Sequence, residues 1–194
     1  MGIFTNYKKQ SDEELIQLFV GGNNRAFEEL YNRYSKRILH FMFKMLNNNE
    51  ERAQDLLQDL FLKIVEKPTR FDTSRNFKSW VFTVAANMCR TEHRNSKFEE
   101  VNVDDVVLED PNSGYKKLLA QIDNTVFKKQ LKIELNRLSI EHKTVFILRY
   151  REQFSVKEIA EIVDCSEGTV KSRIHHAVKK LSKKLEVFHH TKTS

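Results

Sequence analysis

The sequence predicts an all-α fold of two small helical domains joined by a flexible acidic linker, with a helix-turn-helix in the C-terminal domain. Only 5 glycines and 2 prolines occur among 194 residues, and apolar residues recur at helical spacing along most of the chain. The one weakly alternating stretch, residues 100–107, is acidic and precedes a Pro-Asn-Ser-Gly sequence, which favours an extended linker. We therefore place the domains at 8–95 and 126–190 and the linker at 96–125.

Four helices are predicted in the N-terminal domain. Ser11 followed by Glu14 is a capping box, which begins the first helix before a Gly-Gly-Asn-Asn break. The second is expected over 26–45, ending at three asparagines, and the third over 50–66, ending before a proline. A fourth is expected over 77–94, with its single tryptophan on the apolar stripe and therefore in the core.

The C-terminal domain is predicted to contain two helices joined by a tight turn. Ser155 followed by Glu158 is a second capping box, and Ser166 is a candidate N-cap for the last helix. Opposite its apolar stripe, that helix carries basic residues and no acid from Lys171 to Lys184. Such a pair is typical of a helix-turn-helix that enters the DNA major groove, although a solvated lysine-rich face is the alternative. The core before the pair is predicted to contain Leu131, Leu135, Leu138, Val145, Phe146, Leu148 and Tyr150.

Charge is distributed unevenly along the chain. Residues 1–94 hold 15 basic and 12 acidic residues, residues 95–125 hold 3 and 7, and residues 126–194 hold 15 and 8. Two basic ends around an acidic middle indicate two modules that face nucleic acid and a connector between them. Chance clustering of charge is the alternative.

Several function classes are not supported by the sequence. There is no P-loop, dinucleotide fingerprint or zinc-ligand spacing, so no catalytic residue, metal site or cofactor is predicted. Adjacent histidines such as His175 and His176 point about 100° apart on a helix and are poor joint ligands. Cys89 and Cys165 are expected to be buried free thiols. Without a signal peptide or a membrane-length apolar run, the protein is predicted to be cytoplasmic, with no membrane insertion.

Four sequence motifs follow one another along the chain. They are AFEELYNRY, DLLQDLFLKI, FKSWVFTVAANMCRTEHR and the helix-turn-helix. Together they resemble a bacterial RNA polymerase sigma factor of the extracytoplasmic-function (ECF) group in the sigma-70 family, over nearly the whole chain except the linker and the tips. The resemblance implies an alternative sigma factor that binds core RNA polymerase (its β and β′ subunits) and directs promoter-specific initiation. Its domains would be sigma regions 2 and 4. Its acidic linker would thread the RNA exit path, with a plain disordered spacer as the alternative.

Two other classes of function remain open at this stage. One is an autonomous helix-turn-helix regulator of transcription, which would leave DLLQDLFLKI without a role. The other is an adaptor that binds only proteins, which would leave the basic helix without one. Many members of the family also have an anti-sigma inhibitor, so such an inhibitor is an open partner of this chain.

The resemblance implies a polymerase-binding surface on the third helix, which in the family docks on a coiled coil of the largest polymerase subunits. The matching positions are Asp55, Gln58, Asp59 and Leu62. A polar strip with an exposed leucine suits a protein interface, although from the residues alone a solvated helix face is the alternative.

The fourth helix and the loop before it match the part of the family that reads and opens the −10 element. Opening DNA needs cations for the phosphates and groups that hold an extruded base. Asn76 would supply base-edge hydrogen bonds, and Phe71 would either stack on a base or anchor the core. Thr91 and Asn95 depart from the family, which often has an acid and an arginine there. The −10 candidates are Arg70, Phe71, Arg75, Asn76, Lys78, Asn87, Arg90 and Arg94.

In the family, the C-terminal domain sits on the flap of the β subunit and reads the −35 element. Thr169, Ser172 and His176 share one outward face of the recognition helix, and four basic or imidazole side chains border it. Hydroxyls and imidazoles read base edges, whereas lysines mostly hold phosphates. The −35 candidates are Thr169, Lys171, Ser172, Arg173, His175, His176 and Lys179.

Overall fold

The structure, a computed structural model, describes residues 6–72, 75–96 and 125–185, which form eight α-helices and no strand. The chain divides into two units, Met1–Val103 and Asp104–Ser194. The all-α fold predicted from the sequence is therefore confirmed. The predicted linker lies almost entirely outside the described residues, so its bounds and those of the two domains stay predictions.

The first unit contains four helices within two residues of the predicted bounds. They are α1 (Asp12–Val20), α2 (Asn24–Met45), α3 (Glu50–Glu66) and α4 (Phe77–Ser96). Short 3-10 turns precede α1 at Tyr7–Lys9 and follow α3 at Pro68–Arg70. Helix α2 packs against the other three helices and is the centre of the unit.

Side-chain caps explain where the helices of this unit begin. The Ser11 Oγ accepts the Glu14 amide N–H at 3.1 Å, and the Glu14 carboxylate accepts the Ser11 N–H at 2.8 Å, which confirms the predicted capping box. The other three helices are capped by asparagine. Asn23, Asn49 and Asn76 each accept an amide N–H three residues on, at 3.3, 3.0 and 2.9 Å. Because Asn23 is the cap, α2 begins two residues earlier than predicted.

Aromatic rings hold α4 against α2. Phe41 and Phe82 meet at 5.5 Å between ring centroids, and Tyr34 and Phe77 also meet at 5.5 Å. Three of these four rings are fully buried and Tyr34 is 5% exposed. Edge-to-face pairs of this kind stabilise a core beyond the area they bury, so α4 has a fixed place on α2.

Arg33 on α2 ties the chain that precedes α1 to the unit. Its guanidinium donates to the carbonyls of Tyr7 at 2.9 Å and Gln10 at 3.0 Å, and to the carboxylates of Asp12 at 2.8 Å and Glu29 at 2.9 Å. Burial acts to lower the pKa of the Arg33 guanidinium, but its carboxylate partners raise it on balance. Arginine suits this position because its planar fork reaches several acceptors at once.

The second unit contains α5 (Thr125–Asn136), α6 (Ile140–Tyr150), α7 (Val156–Val163) and α8 (Glu167–Leu185). Helix α8 packs against the other three. Of the predicted core residues, Leu131, Leu138, Val145 and Leu148 are buried. Leu135 and Phe146 are only partly buried. Tyr150 was wrongly assigned to the core, because it is the last residue of α6 and is 38% exposed.

The predicted helix-turn-helix is confirmed in α7 and α8. The Ser155–Glu158 capping box is present, and Asp164 is the C-cap of α7, where a φ of 53° turns the chain. The Ser166 Oγ then accepts the Thr169 N–H at 3.2 Å and so caps α8 as predicted. Cys165 lies in this turn and is only partly buried, so its predicted burial is wrong, whereas Cys89 is fully buried.

Candidate functional site

One face of α3 is exposed and partly acidic. We call Asp55, Gln58, Asp59 and Leu62 the acidic strip; all four are exposed, and the Leu62 side chain is 56% exposed. The opposite face is buried, as the spacing of its leucines predicts. An exposed leucine beside carboxylates offers both apolar area and charge to a partner. Val65, 45% exposed and one turn beyond Leu62, extends the strip and was missed from the sequence.

The loop before α4 holds fewer free side chains than its sequence indicates. The Arg75 guanidinium lies 3.5 Å from the Asp72 carboxylate, and both side chains are largely exposed. The carboxamide oxygen of Asn76 accepts the Ser79 N–H at 2.9 Å, so this candidate base reader is also the cap of α4. The side chain of Arg70 lies outside the described residues.

Phe71 is buried. Its side chain is 4% exposed, and its ring centroid lies 5.3 Å from that of Phe77 and 5.2 Å from that of Trp80. Of the two roles left open by the sequence, this is the position of a core anchor, because a ring enclosed in this way offers no free face to a base. Trp80, predicted to lie in the core, is half-buried.

The predicted −10 residues of α4 lie on its polar side. Asn87, Arg90 and Arg94 are exposed, and the Arg90 guanidinium donates to the Asn87 carboxamide at 2.9 Å. Lys78, in the first turn, is half-buried. The structure thus brings Asn87 and Arg90 together, while Arg75 and Asn76 lie at the other end of the helix.

Helices α3 and α4 are also joined by polar groups. The Arg52 Nε donates to the Glu92 carboxylate at 2.8 Å, and a second guanidinium nitrogen donates to the same oxygen. A groove of about 340 Å³ runs between the helices; its lining residues are Leu56, Asp59, Lys63, Val84, Asn87, Met88, Thr91 and Glu92. No sequence signal pointed to Arg52 or Glu92, which lie 40 positions apart.

The outer face of α8 is basic and largely exposed. Lys171, Ser172, His175, His176 and Lys179 are exposed, as their spacing predicts. Two of the candidates are engaged within the protein. The Thr169 hydroxyl shares a 2.9 Å hydrogen bond with the Ser166 hydroxyl, and the half-buried Arg173 lies 3.9 Å from the Cys165 Sγ.

A histidine outside α8 lies against the outer face of that helix. The ring of His142, in the first turn of α6, meets the His176 ring edge-on at 6.2 Å. Its Nδ1 is 2.7 Å from the Ser139 hydroxyl. The pKa of His142 is lowered, first by burial and then by the charge of His176. From the sequence, His142 is an isolated histidine, because no local pattern indicates that α6 and α8 lie together.

The described residues contain neither a membrane-spanning helix nor a metal-binding cluster. No described helix has the length and apolar character needed to cross a membrane. Nor do residues 6–72, 75–96 and 125–185 bring three or more histidine, cysteine or acidic side chains together as a metal site.

Two protein families match separate parts of this chain. Residues 30–99 match the family described as Sigma-70 region 2, and residues 130–181 match Sigma-70, region 4. The chain is 28% identical over 176 residues to the ECF RNA polymerase sigma factor SigW of Bacillus subtilis, covering 84% of this chain and 91% of that one. It is 30% identical over 154 residues to the ECF RNA polymerase sigma factor SigL of Mycobacterium tuberculosis, covering 78% and 84%.

Solved structures agree with these relatives. The sigma factor RpoE of Bartonella quintana, determined in complex with the anti-sigma factor NepR, is 25% identical with a TM-score of 0.63, covering 83% of this chain and 97% of that one. CnrH, determined with the cytosolic domain of CnrY, is 24% identical with a TM-score of 0.67, covering 92% and 99%, and shows the same fold. The chain therefore belongs to the ECF group of the sigma-70 family of RNA polymerase sigma factors.

Proposed function

We propose that this chain is an alternative sigma factor that binds the β and β′ subunits of core RNA polymerase and directs promoter-specific initiation at −10 and −35 elements. One observation carries the proposal: a single chain holds both a region 2 unit with an exposed acidic strip and a region 4 unit with a basic recognition helix. We assign residues 8–95 to region 2, 96–125 to the connector and 126–190 to region 4. Sigma factors are not enzymes, so the chemistry of RNA synthesis belongs to the polymerase, and the protein acts in the cytoplasm beside it.

Run-off transcription tests this function directly. Core polymerase, the purified chain and a genomic library are combined, and transcripts are mapped to their start sites. We expect transcripts from a restricted set of promoters that share two short elements. An autonomous regulator would give no promoter-dependent transcript with core polymerase alone, and it would bind symmetric half-sites as a dimer.

The acidic strip of α3 is proposed as the core-binding surface. Its carboxylates are exposed, so replacing them changes charge without opening a cavity. The double substitution Asp55→Lys and Asp59→Lys reverses the sign of the strip and should abolish binding to core polymerase in a pull-down. Glu28→Lys, also outside the core but on α2, is the control. Unchanged binding by the double variant, with a normal circular dichroism spectrum, would show that another face contacts core.

The polar side of α4 and the loop before it are proposed to contact −10 DNA. Arg90 and Arg94 are exposed cations on one helix, and Arg75 lies beside the helix start. Each lost phosphate contact lowers the slope of log affinity against log salt by about 0.9 for duplex DNA and about 0.7 for a single strand. A slope reduction near 0.7 in Arg94→Ala would therefore indicate a contact made after opening.

The outer face of α8 is proposed to read the −35 element. Ser172→Ala or His176→Ala should change the preferred −35 sequence by about 1–3 kcal/mol per lost base contact. Lys179→Ala should weaken all promoters alike and lower the salt slope by about 1. Transcription from a randomised −35 library at two salt concentrations separates these outcomes. A shift in base preference with Lys179→Ala and none with His176→Ala would mean that the helix reads DNA with a different face.

An anti-sigma inhibitor is proposed as a further partner. The support is the similarity to RpoE, whose structure was determined with an anti-sigma factor bound. Affinity purification of the chain from its own host, with and without added core polymerase, tests this. A protein that core polymerase displaces is expected. Recovery of polymerase subunits alone would argue against such an inhibitor under those conditions.

A further inference from the structure

One ion pair joins the two surfaces that the first unit is proposed to use. Arg52 lies in the first turn of α3, and its guanidinium holds the Glu92 carboxylate of α4 through two nitrogens. The Glu92 side chain is only 15% exposed, so this contact is sheltered from water on one side. A third nitrogen of Arg52 lies 3.8 Å from the carboxylate of Asp55, the first member of the acidic strip.

Glu92 also lies close to the DNA side of α4. It stands between Arg90 and Arg94 in the sequence, and it lines the groove between α3 and α4 with Asp59 of the acidic strip and Asn87. Glu92 belongs to neither of the proposed binding surfaces. Its contact with Arg52 instead joins α4 to α3 next to Arg90 and Arg94.

We propose that Arg52 is a positioning residue that couples binding of core polymerase at the acidic strip to the placement of α4 against −10 DNA. This inference rests on the proposed function. A guanidinium has five donors in a fixed fork and can serve two carboxylates at once. Core polymerase must bring cationic or polar donors to Asp55 if the strip is its docking surface. Such a group competes with Arg52 for Asp55, so Asp55 draws the guanidinium away from Glu92 less strongly.

The contact between α3 and α4 is therefore stronger in the holoenzyme than in the free chain. A charge-assisted, forked hydrogen bond is about twice as strong as a neutral one and fixes orientation as well as distance. A stronger contact between Arg52 and Glu92 fixes α4 on α3, and this favours DNA opening only after core is bound.

Opening of a promoter by preformed holoenzyme tests the coupling. The variants Arg52→Gln, Glu92→Gln and the charge swap Arg52→Glu with Glu92→Arg are each saturated with core, and thymine reactivity to permanganate follows opening. Networked pairs commonly couple by enough to change a rate several-fold, so each single variant should open DNA about five- to tenfold more slowly. The swap should recover to within about threefold of the original chain. Glu51→Gln, an exposed acid of the same helical turn, is the matched control and should have no effect.

Core affinity separates coupling from simple loss of docking. Glu92 is outside the acidic strip, so Glu92→Gln should bind core within about twofold of the original chain while still opening DNA slowly. Should Arg52→Gln fold poorly, Arg52→Lys keeps the charge but lacks the fork, and it should open DNA at an intermediate rate. Normal opening by Glu92→Gln holoenzyme, or a swap as slow as the single variants, would overturn the proposal.

Amide hydrogen exchange gives a readout that does not need transcription. Exchange over residues 88–95 should be faster in Arg52→Gln than in the original chain, and core should protect this segment more in the original chain. Equal exchange in both would also overturn the proposal. If the original chain binds core but opens no promoter, both the proposed function and its coupling to DNA opening are wrong. The exchange measurement then still shows whether the Arg52–Glu92 ion pair holds α4 in place.

Discussion

Replacing Phe71 with alanine should destabilise the first unit while leaving its interfaces in place. The ring is 4% exposed and touches Phe77 and Trp80, so its removal leaves a cavity beneath the loop that precedes α4. The substitution also separates the two roles that the sequence leaves open for this residue. A core anchor contributes to stability, whereas a base-stacking residue contributes mainly to promoter opening.

The size of the effect follows from what the ring contacts. Replacing a buried phenylalanine with alanine lowers the free energy of unfolding by about 3–5 kcal/mol. This total includes about 0.5–1.5 kcal/mol for each aromatic pair that is lost. Phe71 lies on a short connection that has some freedom to collapse into the space, so we expect a loss of about 3 kcal/mol. Phe71→Leu keeps most of the volume and loses the ring pairs, so we expect about 1–1.5 kcal/mol.

Urea unfolding, monitored by Trp80 fluorescence, measures the loss of stability of the first unit. Trp80 is the single tryptophan of the sequence, and its ring lies 5.2 Å from that of Phe71, so its signal reports the first unit alone. Leu62→Ala is the control, because this side chain is 56% exposed and its removal should change the free energy of unfolding by less than about 0.5 kcal/mol.

Loss of promoter opening without loss of stability would contradict the core-anchor role of Phe71. If Phe71→Ala leaves the urea midpoint unchanged and abolishes promoter opening, then the ring leaves the core when DNA binds and acts on a base. If the folded variant opens promoters normally at low temperature, where most molecules remain folded, the core-anchor role is supported.

Three further predictions concern caps, backbone and pH. Ser155→Ala removes the Ser155–Glu158 capping box and should destabilise the second unit by about 1 kcal/mol, read as faster amide exchange in α7. Gly22→Ala places a side chain at a φ of 92° and should lower the urea midpoint of the Trp80 signal, with a cost of about 1 kcal/mol. The pKa of His142 is lowered from its ordinary 6.5, so its contribution to stability is complete above pH 6.5 and is lost as the pH falls through the lowered value. His142→Gln should therefore lose less stability than the original chain between pH 7 and pH 5, as measured by thermal unfolding at each pH.

Local signals in the sequence were sufficient to place the four helices of the first unit to within two residues and to identify the helix-turn-helix. The two Ser-x-x-Glu boxes, the asparagine run before α3 and the apolar spacing each act within one or two helical turns, so each could be recognised without the fold. The same spacing placed Asp55, Asn87 and Ser172 on outward faces, and all three are exposed.

Contacts between distant helices could not be predicted in this way. Helical spacing says which face is apolar, but not how far a neighbour covers it, which is why Tyr150 at the end of α6 was placed in the core. It also says nothing about which polar groups meet. Arg33 reaches Tyr7 across 26 positions and Arg52 reaches Glu92 across 40, and both pairings depend on how the helices pack.

The cap on α4 has a consequence for what Asn76 is able to recognise. Its carboxamide oxygen is held by the Ser79 N–H at 2.9 Å, and giving up that bond would expose an unsatisfied helix terminus. The oxygen keeps a second lone pair, and the NH₂ group keeps its two donors. The cap fixes the orientation of the amide, so the paired donor-and-acceptor contact by which asparagine singles out adenine is open only to a base presented in that orientation. The cap therefore makes base selection by Asn76 depend on how the loop presents the base.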